Sequence, residues 1–368
     1  MELRSLCRRF IFLGALCLGM SSLTQAATKV TDLYEISEVI AVGASTREQH
    51  QLMAQGLAKV FAKVSGDEAV LADDDINKYL QDAQSYLLSF SFEANTEKRV
   101  NALGEVVDTQ RLKMSFDPSR VNASLTSLGF PVWSARRPDI MIWVASSNNG
   151  VREILSADSS LAMADKVQQL ADARGLPVVL PHGDLEDQLS LDVSELWGLF
   201  ADPVMAASAR YSADAILAGR VESVNDQQWR STWLFIFNGE QRKYTVNGKS
   251  EEDIVDQVLG QISSRLSGQY AVYLNSLFQD RVVLRISGVN NLRQYHSVLQ
   301  YVENMTGVSS PLVVSVTDDI LRIQVDVSGD VQQLRDLIAL DSRLVPEQYF
   351  ASAVGQEPSN ELRYVWNP

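Results

Sequence analysis

Asp139-Ile-Met-Ile-Trp-Val-Ala145 is an apolar run of strand length, and a helical pattern separates it from a second such run, Leu176-Pro-Val-Val-Leu180. A third, Ala213-Asp-Ala-Ile-Leu-Ala-Gly219, leads into a pair of aromatic strands that turn at Asn238-Gly239, a strong two-residue hairpin signal. Ser250-Glu-Glu-Asp253 then caps a long helix with Ile254, Val258, Ile262 and Leu266 on one side. Short apolar strands alternating with helices predict a sheet with helices packed on it, an α/β domain over residues 138–275.

Two smaller units flank it. In residues 27–134 a strand near Leu33 to Val42 precedes Ser45-Thr-Arg-Glu48, a capping box, and a helix with Leu57, Val60, Phe61 and Val64 on its apolar face. Ser65-Gly66 ends that helix. Tyr86, Leu88, Phe90 and Phe92 then alternate with Ser85, Leu87, Ser89 and Ser91, a strand with one apolar face. A second strand carries Leu112, Met114 and Phe116, and Asp117-Pro118 opens another helix that Gly129 stops. Residues 280–344 repeat the order β-α-β-β-α, with a hairpin about Asp318-Asp319 and Asp330 capping the last helix. The tail 345–368 holds Leu362, Tyr364 and Trp366, read as a final strand at the edge of the third sheet. The expected fold class is α+β with an α/β middle domain, three small domains in all.

Residues 1–26 read as a secretory leader: Arg4, Arg8 and Arg9 precede the apolar run Phe10 to Met20, and a small-residue cleavage site ends at Ala26. The run falls short of the roughly 20 residues that span a bilayer, so export to the periplasm is expected, with no transmembrane segment in the mature chain. Cys7 and Cys17 both lie in the leader, which leaves no thiol for catalysis, cross-linking or metal binding after cleavage. Losing three basic and one acidic residue leaves 29 against 45, a net charge of −16. Such acidity, without Lys and Arg clusters, argues against nucleic acid and anionic lipid as partners.

Candidate chemistry is sparse, and neither catalytic residues nor a cofactor are expected. Of the three histidines, His50 and His296 sit on helices away from the apolar stripes. His182 lies in Pro181-His-Gly-Asp-Leu-Glu-Asp187, where Asp184 could orient it as a hydrolase base. Asp73-Asp74-Asp75 lacks the alternating ligands of a calcium loop, and Asp73 or Asp74 reads as a helix cap. Gly248-Lys249-Ser250 lacks the earlier glycine of a phosphate-binding loop, where Lys243 stands. Gly219 reads as a site of close backbone packing or a bulge. Trp229, Trp233, Phe235 and Phe237 share one strand face, which is core under the long helix or, alternatively, a ligand or partner face for a glycan, a lipid or a protein.

Leu33-Tyr34-Glu35, the segment from Leu57 to Asp67 ending in Lys-Val-Ser-Gly-Asp, Phe130-Pro-Val-Trp133 and Ala215-Ile-Leu-Ala-Gly-Arg220 together resemble a proteobacterial family. It is the domain-of-unknown-function family numbered two thousand and sixty-six, whose members are uncharacterised envelope proteins. The middle unit more distantly resembles the N-terminal domain of the Tol-Pal propeller protein, an assembly module. The resemblance implies a non-catalytic scaffolding component of the cell envelope with an envelope protein as partner.

Overall fold

In the computed structural model the described residues are 28–100, 104–148, 150–157, 162–225, 227–274, 279–347 and 360–367. The leader expected over residues 1–26 lies outside them. The chain is a mixed α and β fold of several small sheets.

After the short strand β1 (Thr28–Lys29), the first unit is β2 (Glu35–Ala41), α1 (Thr46–Ser65), α2 (Ile76–Gln81), β3 (Leu87–Val100), β4 (Val106–Phe116) and α3 (Pro118–Ser127). Its sheet runs β2-β4-β3, antiparallel throughout. The expected capping box is present, with Ser45 Oγ accepting from Glu48 N and Glu48 returning to Ser45 N. Gly66 closes α1 at φ 75°. The cap of α2 differs from expectation. Asp75 occupies the cap position without a side-chain cap bond, and Asp73 instead accepts from Asp75 N at 2.9 Å.

The middle unit follows β5 (Arg136–Arg137) as β6 (Ile140–Asn148), β7 (Val151–Ile154), α4 (Ala162–Arg174), β8 (Val178–Val179), α5 (Leu185–Ser190), α6 (Val193–Gly198) and α7 (Ala201–Ser208). It ends with β9 (Ala215–Asn225), β10 (Gln228–Phe237), β11 (Glu240–Gly248) and α8 (Glu251–Tyr270). The sheet order is β11-β10-β9-β6-β7, with β6 parallel to β8 and β9. Ile140, Ile142 and Val144 pack with α4 and α8, whereas Met141, Trp143 and Ala145 pack with α6 and α7. Helices on both faces explain why β6 is apolar at every position from Ile140 to Ala145.

The third unit comprises β12 (Gln279–Ser287), α9 (Leu292–Glu303), β13 (Val308–Thr317), β14 (Ile320–Ser328), α10 (Val331–Ala339), β15 (Leu344–Pro346) and β16 (Glu361–Trp366). The final strand does enter the sheet, but one place in from its edge. β16 runs parallel to β12 and β15 covers its other side, so that Leu362, Tyr364 and Trp366 join the core.

The units meet around β5. Arg137 is fully buried, and the Asp32 carboxylate that favours its charged form is itself paired with Lys63 at 3.6 Å. Its guanidinium donates to Lys63 O (2.7 Å) at the end of α1, to Arg174 O (2.9 Å) and Gly175 O (3.0 Å) at the end of α4, and to Ser134 O (3.2 Å). The last carbonyls of a helix have no intrahelical partner and carry its negative dipole end, so one cation satisfies two helices. Burial pushes this guanidinium down to about 9, which still leaves it charged at neutral pH. Its neighbour Arg136 points the other way, pairing with buried Asp341 and lying over Tyr301 of the third unit.

The Lys63-Val64-Ser65-Gly66-Asp67 segment completes the seam between the first two units. Gly66 O accepts from Ser263 and Ser267 of α8, and Asp67 accepts from Ser264 at 2.7 Å. A Cβ on Gly66 would come within 2.4 Å of Ser267 Cβ and 2.6 Å of Trp133. Trp133 N in turn donates to Val64 O.

Arg137→Lys tests the joint. An ammonium cannot span both helix ends, so at least two buried carbonyls lose their donor. The expected loss is about 2–4 kcal/mol of unfolding free energy in urea. A change below about 0.5 kcal/mol would contradict the role given to the guanidinium.

Candidate functional site

The aromatic face of β10 is core. Trp233, Phe235 and Phe237 are buried in the cluster formed with Ile254, Val258, Ile262, Leu266 and Tyr270 of α8, and Trp229 is half-buried against it. Trp233 is paired with Gly219 on β9 and lies flat over it, where an added Cβ would sit 2.2 Å from the indole. The indole nitrogen is satisfied by Ser231 Oγ at 2.8 Å. The reading of these four residues as a ligand or partner face is therefore corrected: α8 covers them.

The His182 loop is a clasp. His182 is exposed, its backbone N–H donates to Tyr211 Oη at 2.9 Å, and its ring leans on the Tyr211 ring at 5.5 Å. Asp184 caps α5 and is held by both arms of Arg210 at 2.8 and 2.9 Å. Those hydrogen bonds hold its carboxyl well below the usual range and engage both of its oxygens with Arg210, where an orienting bond to His182 was expected. Buried Asp187 takes Tyr211 Oη (2.6 Å), Gly183 N (2.9 Å) and Arg210 (3.0 Å). Burial, then this bond, pushes Tyr211 up to about 12. A hollow of about 410 Å³ lies beside the clasp, lined by Trp143, Glu153, Ser156, Gln188 and Asp192 among others. His50 and His296 are exposed on α1 and α9. Among the described residues no three His, Cys, Asp or Glu side chains come together to hold a metal ion. Lys249 N donates to Asp253 and Ser250 caps α8, the helix-cap reading of Gly248-Lys249-Ser250.

Two further acids sit at the start of the parallel strands. Asp139 N donates to Asp214 Oδ2 at 2.9 Å, and burial raises both carboxyls above their usual range. Nothing in the sequence pairs them, because β6 and β9 are brought side by side only by the sheet.

Among the described residues β3 forms an outer edge of the first unit's sheet. Phe90 lies opposite Met114 and Phe92 opposite Leu112, so their side chains point to the face that α1 covers. Yet α1 lies over β2 and β4, and Phe90 and Phe92 stay 48% and 41% exposed with Leu88 at 63%. The two phenyl rings meet edge to face at 6.0 Å. The ladder to β4 is regular from Ser89 to Ala94, between register shifts at either end. That run holds one charged residue, Glu93, which Lys113 balances at 2.8 Å.

Other sheet edges carry the features that block pairing. β13 contains Pro311 and a left-handed Ser310 (φ 51°), with two register shifts. β15 has three residues and ends in Pro346, and β7 has four. β11 opens Glu240-Gln-Arg-Lys243, and β2 carries Glu35 and Glu38, the latter tied to Lys59. The Ser89–Ala94 run of β3 has no proline and no register shift, and its single charge, Glu93, is balanced by Lys113.

The family described as Domain of unknown function (DUF8605) matches residues 27–134. This overturns the resemblance to the family numbered two thousand and sixty-six. No curated protein matches the chain. Among solved structures the chain is similar to a competence or damage-inducible protein from Enterobacter asburiae, at 12% identity and a TM-score of 0.21 over 41% of this chain and 93% of that one. A competence-damaged protein (CinA) superfamily member from Enterobacter cloacae aligns at 9% identity and 0.22 over 41% and 88%. The competence damage-inducible protein A of Klebsiella pneumoniae subsp. pneumoniae aligns at 16% and 0.21 over 41% and 92%. These neighbours replace the Tol-Pal N-terminal domain, and scores so low carry no argument about activity.

Gly219→Ala must displace Trp233 from the core, an expected loss of about 1–3 kcal/mol with an altered tryptophan emission spectrum. An unchanged spectrum and stability would show the indole free to move. Asp214→Asn keeps the acceptor for Asp139 N and removes a titrating group. A raised carboxyl adds stability below its ordinary range near 4 and loses that contribution as pH rises through the folded-state value. The Tm of Asp214→Asn relative to wild type should therefore increase from pH 4 to pH 7. A flat difference would refute the assignment.

Proposed function

We propose that this chain is a non-catalytic, exported component of the cell envelope that works by protein–protein contact, through strand pairing at the β3 edge of its first unit. The observation that carries the reading is that edge: an open ladder of backbone donors and acceptors beside exposed Leu88, Phe90 and Phe92. An added strand gains main-chain hydrogen bonds from the ladder and side-chain burial from the phenylalanines. The leader-like composition of residues 1–26 supports the periplasm as the compartment.

A photoreactive amino acid at position 91, introduced in living cells, should give cross-linked adducts in the periplasmic fraction. The same probe at Thr245, on the guarded β11, should give none. Phe92→Arg, placing a charge on the apolar face, should abolish the adducts at position 91 without changing the thermal unfolding of the purified chain. Absence of adducts at β3, or retention of the chain in the cytoplasm, would overturn the proposal.

A further inference from the structure

Resting on that reading of β3 as a docking edge, we infer that the strand pairing with it is β3 of a second copy of this chain, antiparallel about a two-fold axis at Ser91. Four observations lead there. Antiparallel strands related by a two-fold axis place residue i opposite residue j when the two numbers add to a constant, and directly opposite residues share a face. With Ser91 on the axis, Phe90 meets Phe92 of the other copy and Phe92 meets Phe90, so four rings close over one another on the side of Met114 and Leu112.

The second observation is the length of the run. β3 keeps regular register with β4 from Ser89 to Ala94, and an axis at Ser91 lies within its central pair of residues. The third is charge. The chain carries a formal −14, so most ways of bringing two copies together oppose like charges. In this register Glu93 faces Ser89 of the other copy, and no two carboxylates are opposed. An axis moved two residues along, to Glu93, would set the two glutamates directly against each other, which is destabilising. A foreign strand would have to present apolar side chains at alternate positions and no acid opposite Glu93. A second β3 meets both conditions by construction.

The fourth observation is closure. Pairing consumes both β3 edges and leaves β2 at the ends of a six-stranded sheet. There Glu35 and Glu38 stand on each outer edge and discourage further addition. The assembly therefore stops at two chains and does not grow into a fibre.

The test uses the full chain with Cys7→Ser and Cys17→Ser, which removes every native thiol. In sedimentation equilibrium it should show twice the monomer mass at micromolar concentration. Phe90→Arg should raise the dissociation constant at least tenfold and make Tm independent of protein concentration, while its circular dichroism stays that of the folded chain, since Phe90 is half-exposed. Ser91→Cys should form a disulfide-linked dimer under mild oxidation. Ser89→Cys should not, because two copies of residue 89 lie about 13 Å apart along the strands in this register. A monomer at all concentrations up to 100 times micromolar, or cross-linking of Ser89→Cys as fast as Ser91→Cys, would overturn the inference. Cellular adducts at position 91 to another protein, with a monomeric purified chain, would overturn the second copy and leave the docking edge standing. No adduct and no dimer would end both.

Discussion

A single guanidinium sets the relation between the first and middle units. Arg137 is buried, and its hydrogen-bond partners are carbonyls at the ends of α1 and α4 rather than carboxylates. A buried ion pair would have to recover two desolvation costs, whereas helix C-termini offer negative potential that is already desolvated and otherwise unsatisfied. The Lys63 ammonium, also buried, is held differently, donating to Asp32 O at 2.9 Å and pairing with the Asp32 carboxylate at 3.6 Å. Because Arg136 reaches Asp341 in the opposite direction, two adjacent residues of one short strand contact all three units. The short segment carrying Arg136, Arg137 and Pro138 is the place where the units are held.

That joint accounts for the chemistry of Lys63-Val64-Ser65-Gly66-Asp67. Each residue is used: the lysine and serine through buried hydrogen bonds, the valine in the core, the glycine where α8 passes too close for a side chain, and the aspartate as acceptor from Ser264. The segment falls within residues 27–134, the part of the chain matched by DUF8605. Its role is to seat α8 against the first unit.

Local signals were legible in the sequence to the extent that their physics is local. Ser45 with Glu48, Asp330 as a helix cap, and Asn238-Gly239 at φ 50° and 76° act within a few residues of themselves, and the structure shows each in its expected role. Partners brought together by the sheet left no trace. Arg210 and Tyr211 reach the His182 loop from over twenty residues away, and Asp139 meets Asp214 across parallel strands. Fold class could be read because periodicity survives in the one-dimensional chain. The clasp and the acid pair could not, because they depend on which strands become neighbours.

The sharpest case is a pair of strands with the same pattern and opposite fates. Phe90 and Phe92 on β3 alternate with serines, as Trp233, Phe235 and Phe237 on β10 alternate with other side chains. The residues alone made β10 the candidate surface. Helix placement reverses the ranking: α8 lies over β10 and buries its aromatics, while α1 lies over β2 and β4 and stops short of β3. An apolar face becomes a docking surface only where the covering helix ends before the sheet does. On β3 that shortfall coincides with a strand edge free of proline, bulge and uncompensated charge from Ser89 to Ala94. An edge left open by chance would be an aggregation hazard in an otherwise guarded protein, so the two features occurring together argue that β3 is kept open for a strand to pair with it.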